Sequence, residues 1–290
     1  MAELQQLARI NDVLFSIHKD ISRDLNAADL ARQAAYSEQH FHRLFKHVVG
    51  EPVHQYICRI RMEYAANQLM FDPNATVIEI ANKSGFSSVS SFSRAFKRHF
   101  KMSPGQWRRH EADETDKPYL RNPEIAACYR RLSDELLPEP KLLEIPERKV
   151  AYVRHQGYDR SIKSAWQLLL AWAKSEGRDA SRQFGLHHSN PAWVDLDKCR
   201  YVACIEIDRP LISRGKVNQF VIPGGLHAVF RLQGRYGELL PQLSLILEQW
   251  LPSSGMKMNA TPAYVQYHKN HFVDDDEKFE IEFLLPVSFY

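Results

Sequence analysis

The sequence is poor in the residues that build covalent or metal-held scaffolds. Its four cysteines, Cys58, Cys128, Cys199 and Cys204, form no C-x-x-C pair. That excludes a disulfide framework and a cysteine-based zinc site, and leaves these side chains as reduced, small apolar groups. His187-His188 is the only adjacent histidine pair, with no Cys, Asp or Glu at ligand spacing beside it, so no metal is expected there. There is no G-x-G-x-x-G, P-loop, G-x-S-x-G or H-E-x-x-H, which removes the usual phosphate-cradling and nucleophile signatures, and no cofactor is expected. Long apolar runs are also missing. The longest nearly apolar stretch, Trp166–Ala173, falls far short of the ~20 residues of a membrane span, and Met1–Ile10 carries Glu3 and Arg9 where a signal peptide would be apolar. A cytoplasmic protein without membrane contact is expected.

Charge of one sign is scarce overall: 38 Lys+Arg stand against 35 Asp+Glu in 290 residues, a formal +3. Position changes the reading. Residues 1–110 hold 15 basic and 10 acidic side chains and seven of the 13 histidines, while residues 111–290 hold 23 and 25. The basic surplus belongs to the N-terminal third, which suggests an anion-binding part joined to a part with another task. With 44% hydrophobic and 25% charged residues, the chain has the composition of an ordinary globular protein, and its length suits two domains.

The first 110 residues read as helices. Leu4, Leu7, Ile10, Leu14 and Ile17 recur at helical spacing, and Asn26 or Asp29 can cap the next helix. Ala75–Phe100 then repeats Asn26–Val49. Ala31 matches Ala81, Tyr36-Ser37 matches Phe86-Ser87, and after a one-residue slip Arg43-Leu44-Phe45-Lys46 matches Arg94-Ala95-Phe96-Lys97. Between the copies, Pro52–Met70 has the stripe of an amphipathic connecting helix. Each copy has the form short helix, turn, second helix, with Gly85 suited to a left-handed turn and Ser37 and Ser87 suited to capping. The second helices, Ser37–His47 and Ser88–His99, bury aromatic and aliphatic residues and expose polar and basic ones. Two such helices about one DNA turn (~34 Å) apart can read successive major grooves of double-stranded DNA.

These paired units, the R-x-F-K ending of both second helices, and Gly50-Glu51-Pro52 and Met102-Ser103-Pro104-Gly105 just beyond them resemble the AraC/XylS DNA-binding domain. The resemblance implies base contacts from Gln39, His42 and Arg43 in the first recognition helix and from Ser90, Ser91 and Arg94 in the second, with Lys46 and Lys97 approaching phosphates. Arginine can bind guanine bidentately, so Arg43 and Arg94 are the strongest candidates, against a salt bridge to Glu38 or Glu79 or a merely solvated helix face. The serines are short and less selective, which suggests a target read more strictly in one half.

Residues 111–122 are charged, contain Pro118 and lack apolar periodicity, as expected of a linker between a domain at 1–110 and one at 123–290. Beyond them Val150–His155, Arg182–His188, Arg200–Ile207, Leu226–Leu232, Tyr264–His268 and Phe279–Leu285 read as strands, and Ser161–Ser175 and Tyr236–Leu251 as helices. The expected whole is multidomain: an all-α N-terminal domain with two helix-turn-helix units, and an α+β C-terminal domain made of two β-α-β-β halves.

Leu142–Gly157, Asn190 with Cys199–Glu206, Gly224–Phe230, Pro262–Tyr267 and Ile281–Val287 are similar to the GyrI-like effector-binding domain, and the combination resembles the Rob-type architecture. That resemblance implies a small-molecule cleft between the halves, often for lipophilic cations. Strand parity puts Tyr201, Ala203, Ile205 and Ile207 under a helix and leaves Val202, Cys204, Glu206, Glu280, Glu282 and Leu284 on an open face. The expected lining is Tyr152, Trp166, Trp193, Tyr264 and Tyr267, with Glu206 and Glu282 as available carboxylates. Cation-binding relatives place acids where this chain has Val202 and Val265, so a neutral or anionic lipophilic effector is favoured, because a buried cation needs a counter-charge. Two alternatives are a constitutive reader whose C-terminal domain recruits a protein such as RNA polymerase, and a small hydrolase using Glu206 or Glu282 as base. Val265 argues against the hydrolase.

Overall fold

A computed structural model describes residues 2–109, 117–211, 215–259 and 261–290. The chain forms two compact units, Met1–His110 with Ile212–Asn218, and Glu111–Leu211 with Gln219–Tyr290.

The first unit carries helices α1 (Ala2–Lys19), α2 (Ala27–Gln33), α3 (Glu38–Val49), α4 (Val53–Phe71), α5 (Val77–Lys83), α6 (Val89–Phe100) and α7 (Pro104–Arg108). Several of these starts have a local cause. Asn26 caps α2, Ser37 caps α3, Thr76 and Glu79 form a capping box at α5, and Ser88, not the expected Ser87, caps α6; such caps satisfy amide groups that have no intrahelical partner. The repeat extends to the left-handed residue of each turn. Ala35 and Gly85, fifty positions apart, both take left-handed conformations, at φ 56° and 73°. From the caps onward the offset is fifty-one: Ser37 corresponds to Ser88, Phe41 to Phe92 and Phe45 to Phe96. Ser87 is therefore the extra residue of the second turn. Ile10, Val13, Ile17, Phe41, Phe45 and Tyr56 share one buried cluster, so α1, α3 and α4 hold the first copy as a block.

The second unit opens with a 3-10 turn (Pro118–Arg121) and α8 (Pro123–Leu132), followed by β1 (Lys141–Ile145), β2 (Arg148–Gln156), α9 (Ile162–Ser175), β3 (Gln183–His187), β4 (Arg200–Glu206), β5 (Asn218–Ile222), β6 (Gly225–Arg235), α10 (Leu239–Leu245), α11 (Leu251–Ser253), β7 (Met256–Met258), β8 (Tyr264–Lys269) and β9 (Lys278–Phe289). Between α10 and α11 the chain makes a π-helical turn, Ile246–Trp250. Pro252 follows, and the wider turn relieves the clash a proline ring makes with the carbonyl four residues earlier.

The sheet runs β1-β6-β9-β8-β3-β4-β2-β5, with β7 on β9. The two β-α-β-β halves, β2-α9-β3-β4 and β6-α10-β8-β9, meet where β3 pairs antiparallel with β8. β1, β5, β7 and α8 are additions to the expected pattern. β1 sits at one edge of the sheet and β2 near the other, yet only Pro146 and Glu147 join them. The three Cα steps from Ile145 to Arg148 span at most ~11 Å, so the edges come together and the sheet curls. Gly224 lies at this closure, where a Cβ would sit 2.7 Å from the Glu147 nitrogen.

The linker expected at 111–122 is revised. Residues 111–116 lie outside the described residues, and 117–122 are built into the second unit. Tyr119 is fully buried with Ile125, Tyr129 and Leu245, and Lys117 is buried against Glu248. The reason is apolar side chains, Tyr119 and Leu120, at a helical turn that composition alone concealed.

Candidate DNA-reading helices and effector pocket

On α3, Phe41, Leu44 and Phe45 are buried while Gln39, Arg43 and Lys46 are exposed. On α6, Phe92, Ala95 and Phe96 are buried while Ser90, Arg94 and Lys97 are exposed. The salt bridges that would have tied the arginines are not made. Glu38 faces His42 at 3.7 Å, Glu79 is spent on the Thr76 cap, and neither Arg43 nor Arg94 pairs with a carboxylate among the described residues. Both guanidinium groups remain available to an external partner.

Ser91 differs from its neighbours and corrects the expectation for it. Its amide donates to the Ser88 hydroxyl, and its own hydroxyl donates to the Ser88 carbonyl at 2.9 Å. This side chain serves the α6 cap. His42 is half-buried beside Glu38.

In the second unit both faces of the sheet are packed. On one face Tyr152, Phe184, Leu186, Val202, Cys204, Tyr264 and Leu284 form a buried cluster. The face expected to be open is thus the filled interior of the curl. On the other face α9 packs over β2 and β4. There the Trp166 indole donates to the Tyr201 hydroxyl at 3.2 Å, and the Tyr201 and Tyr267 hydroxyls lie 3.1 Å apart. Gly185 makes room for the Tyr201 ring, which a Cβ would strike.

A pocket opens on this helix-bearing side, lined by Ile125, Tyr158, Ile162, His187, Tyr236, Gly237, Leu239, Leu240, His271 and Phe272, with about 360 Å³ of unfilled space counting its open mouth. Its polar lining obeys the internal duplication. Tyr158 follows β2 as Tyr236 follows β6, and His187 ends β3 as His271 follows β8. Tyr158 is fixed by hydrogen bonds to the Ser189 and Arg200 carbonyls, both at 3.0 Å. Arg160 lies 3.8 Å from the Tyr236 ring centre and pairs with Glu124 and Glu277 at the surface. Burial lowers the His187 pKa to about 4, and burial with the nearby His187 lowers that of His271 to about 3. Burial also raises Tyr236 to about 12.

None of the nine residues expected to line the cleft lines this pocket. Tyr152, Val202 and Tyr264 lie in the filled interior. Glu206 and Glu282 share that face by register, but Glu206 is bound by Arg148 and Arg182, and Glu282 is approached by Arg231 and His268. Val265 and Tyr267 are on the opposite face of the sheet by register, and Trp166 belongs to α9 and meets the Tyr267 ring there. Trp193 packs beside Tyr119 and Ile125. Val202 and Val265 point to opposite sides of the sheet, so they cannot frame one site, and the argument from two missing counter-charges falls. The absence of carboxylates holds for the pocket's own lining, on different residues. The signal that could have found them is the repeated Gly157-Tyr158 and Gly234-Arg235-Tyr236 before each half's helix.

The two units define a class: a double helix-turn-helix DNA-binding domain joined to a curled-sheet domain with a helix-bounded pocket. Residues 30–110 match a helix-turn-helix domain family and residues 138–288 match the GyrI-like small molecule binding domain. The chain belongs to the AraC-type transcription regulators that carry a GyrI-like domain, the Rob-type architecture. An AraC-like transcription regulator of Streptomyces lividans is 42% identical over 97 residues, 33% of this chain and 32% of that one, so the chain spans about a third of that relative. The transcriptional activator AarP of Providencia stuartii is 33% identical over 111 residues, 38% of this chain and 82% of that protein. The transcriptional regulator Rob of Salmonella typhimurium is 23% identical over 311 residues, covering 98% of this chain and 99% of the relative. Among the described residues no helix is long and apolar enough to cross a membrane.

Proposed function

We propose that this regulator reads a short DNA site with α3 and α6 and that a small molecule in the Tyr158–Tyr236 pocket tunes its affinity for that site. Base contacts fall to Gln39, His42 and Arg43 in one half and to Arg94, with Ser90, in the other; Lys46 and Lys97 approach phosphates. The observation that carries the reading is the matched pair of exposed arginines, Arg43 and Arg94, on helices with the same caps and the same buried face. Arginine bidentate to guanine specifies a base, whereas phosphate contacts fix position. For an effector to matter it must bind the DNA-competent and incompetent states unequally.

The test is selection of bound sequences from random duplex DNA by the full-length protein, with and without small aromatic compounds of each charge. One enriched asymmetric motif spanning about two DNA turns, with affinity shifted by a compound, is the expected result. No enriched motif under any condition would overturn the reading.

A further inference from the structure

The pocket wall narrows the chemistry of its ligand, a step that rests on reading the pocket as the effector site. Its lining holds no Asp, Glu, Lys or Arg. The Tyr158 hydroxyl is spent on protein carbonyls. The histidines are not satisfied in this way: both ring nitrogens of His187 and Nδ1 of His271 are shut away from solvent with no hydrogen-bond partner among the described residues. Buried polar atoms without partners are costly and rare, and here three of them belong to side chains of a single pocket.

These rings are wedged among aromatics. His187 meets Tyr158 and Tyr201 edge-on at 5.2 and 5.4 Å, and His271 meets Tyr236 and Tyr267 at 6.1 and 6.0 Å. The titratable groups facing them are these tyrosines, the neighbouring His188 and each other; Glu277 acts on His271 but is bound by Arg160. At neutral pH both imidazoles are therefore uncharged. An anion finds no positive charge in this lining and a cation finds no carboxylate, and either would forfeit its hydration. A neutral imidazole offers one donor and one acceptor, which matches a hydroxyl. Aromatic walls suit a flat ring.

We propose that the pocket takes an uncharged phenol, its ring among Tyr158, Tyr236 and Phe272 and its hydroxyl satisfied by the nitrogens of His187 and His271. The arrangement uses a pair of titratable residues that the two halves share, and it gives their unpaired nitrogens partners.

Calorimetric titration of the full-length protein with phenol, toluene, benzoate and benzylammonium tests this. Phenol should bind at least about tenfold more tightly than toluene, because a site built to hydrogen-bond a hydroxyl penalises the analogue lacking it. It should also bind more tightly than either charged compound, with equal affinity at pH 6 and pH 8 and no proton taken up. In His187→Phe and His271→Phe the advantage of phenol over toluene should shrink to about twofold or less. Should those variants not fold, the ranking of the four compounds by the unaltered protein decides alone. Tighter binding of benzoate or benzylammonium, or equal binding of phenol and toluene, overturns the phenol class and leaves the effector pocket standing. Binding by none of the four overturns both.

Discussion

Lys117 and Glu248, 131 positions apart in the chain, are joined by hydrogen bonds of 2.8 Å from the ammonium to each carboxylate oxygen. The Tyr129 hydroxyl completes the cluster, donating to Glu248 at 2.9 Å and accepting from Lys117 at 3.1 Å. Burial works against the lysine's charge, but the hydrogen bond and charge of Glu248 outweigh it and raise its pKa. The Lys117 side chain is 8% exposed and that of Glu248 27%, so the two partners should respond unequally to mutation. Glu248→Leu strands a buried ammonium and should cost about 3 kcal/mol, whereas Lys117→Met leaves a carboxylate that reaches water and should cost nearer 1 kcal/mol. Urea unfolding at pH 7 measures both; equal losses would show the pair is not buried as described.

Arg43→Ala should weaken binding to the selected DNA site by about 1–3 kcal/mol and relax preference at one base pair. Lys46→Ala should weaken binding evenly across sequences and reduce the slope of log affinity against log salt by about 1. Titrations on single-base variants of the site at several salt concentrations separate the two roles.

The turns of the two copies make opposite demands. Gly85 has φ 73°, and a Cβ there would lie 2.7 Å from the Ile21 carbonyl oxygen, close to the Arg61 guanidinium. Gly85→Ala should therefore destabilise the first unit by more than about 1–2 kcal/mol. Ala35 already carries its methyl group at φ 56°. Ala35→Gly relieves that conformation but loosens the unfolded chain, so the net change should stay within about 1 kcal/mol. Thermal unfolding of the two variants side by side checks the contrast.

The buried histidines predict a pH dependence of stability. Each binds a proton more readily unfolded, near 6.5, than folded, near 4 for His187 and near 3 for His271. Stability is thus fully present above pH 6.5 and falls as the pH drops toward these folded values, by at most about 1.4 kcal/mol per pH unit for each histidine. Replacing either by Phe should flatten the slope of unfolding free energy between pH 6.5 and pH 5, measured by urea titration.

The helix-turn-helix units were legible because their determinants are local: caps, a left-handed turn residue, and a duplication that repeats them. Strand parity likewise placed Tyr201, Ala203 and Ile205 together under α9. Parity sorts residues into two faces but does not say what covers each, so a face with Val202, Cys204 and Glu206 read as open when the curl of the sheet fills it with Tyr152, Phe184 and Tyr264. β1 escaped notice because four of its five residues are exposed. The pocket residues were missed for another reason. Tyr158, His187, Tyr236 and His271 lie at or just beyond the ends of strands, where periodicity carries no information and only comparison of the two halves does.

The extra residue in the second turn, Ser87, precedes its helix and does not interrupt it. Inside α6 one inserted residue would rotate every later side chain by about 100° and carry Phe92 and Phe96 out of the core. Placed before the cap, it leaves the two recognition helices in the same packing phase while their outward residues diverge, Gln39 and His42 on one and Ser90 on the other. A symmetric dimer cannot separate its halves in this way, since each substitution is copied into both subunits and demands a palindromic target. If α3 and α6 read the DNA as proposed, a change at Arg94 leaves Arg43 untouched, and the two ends of the target sequence are free to change one at a time.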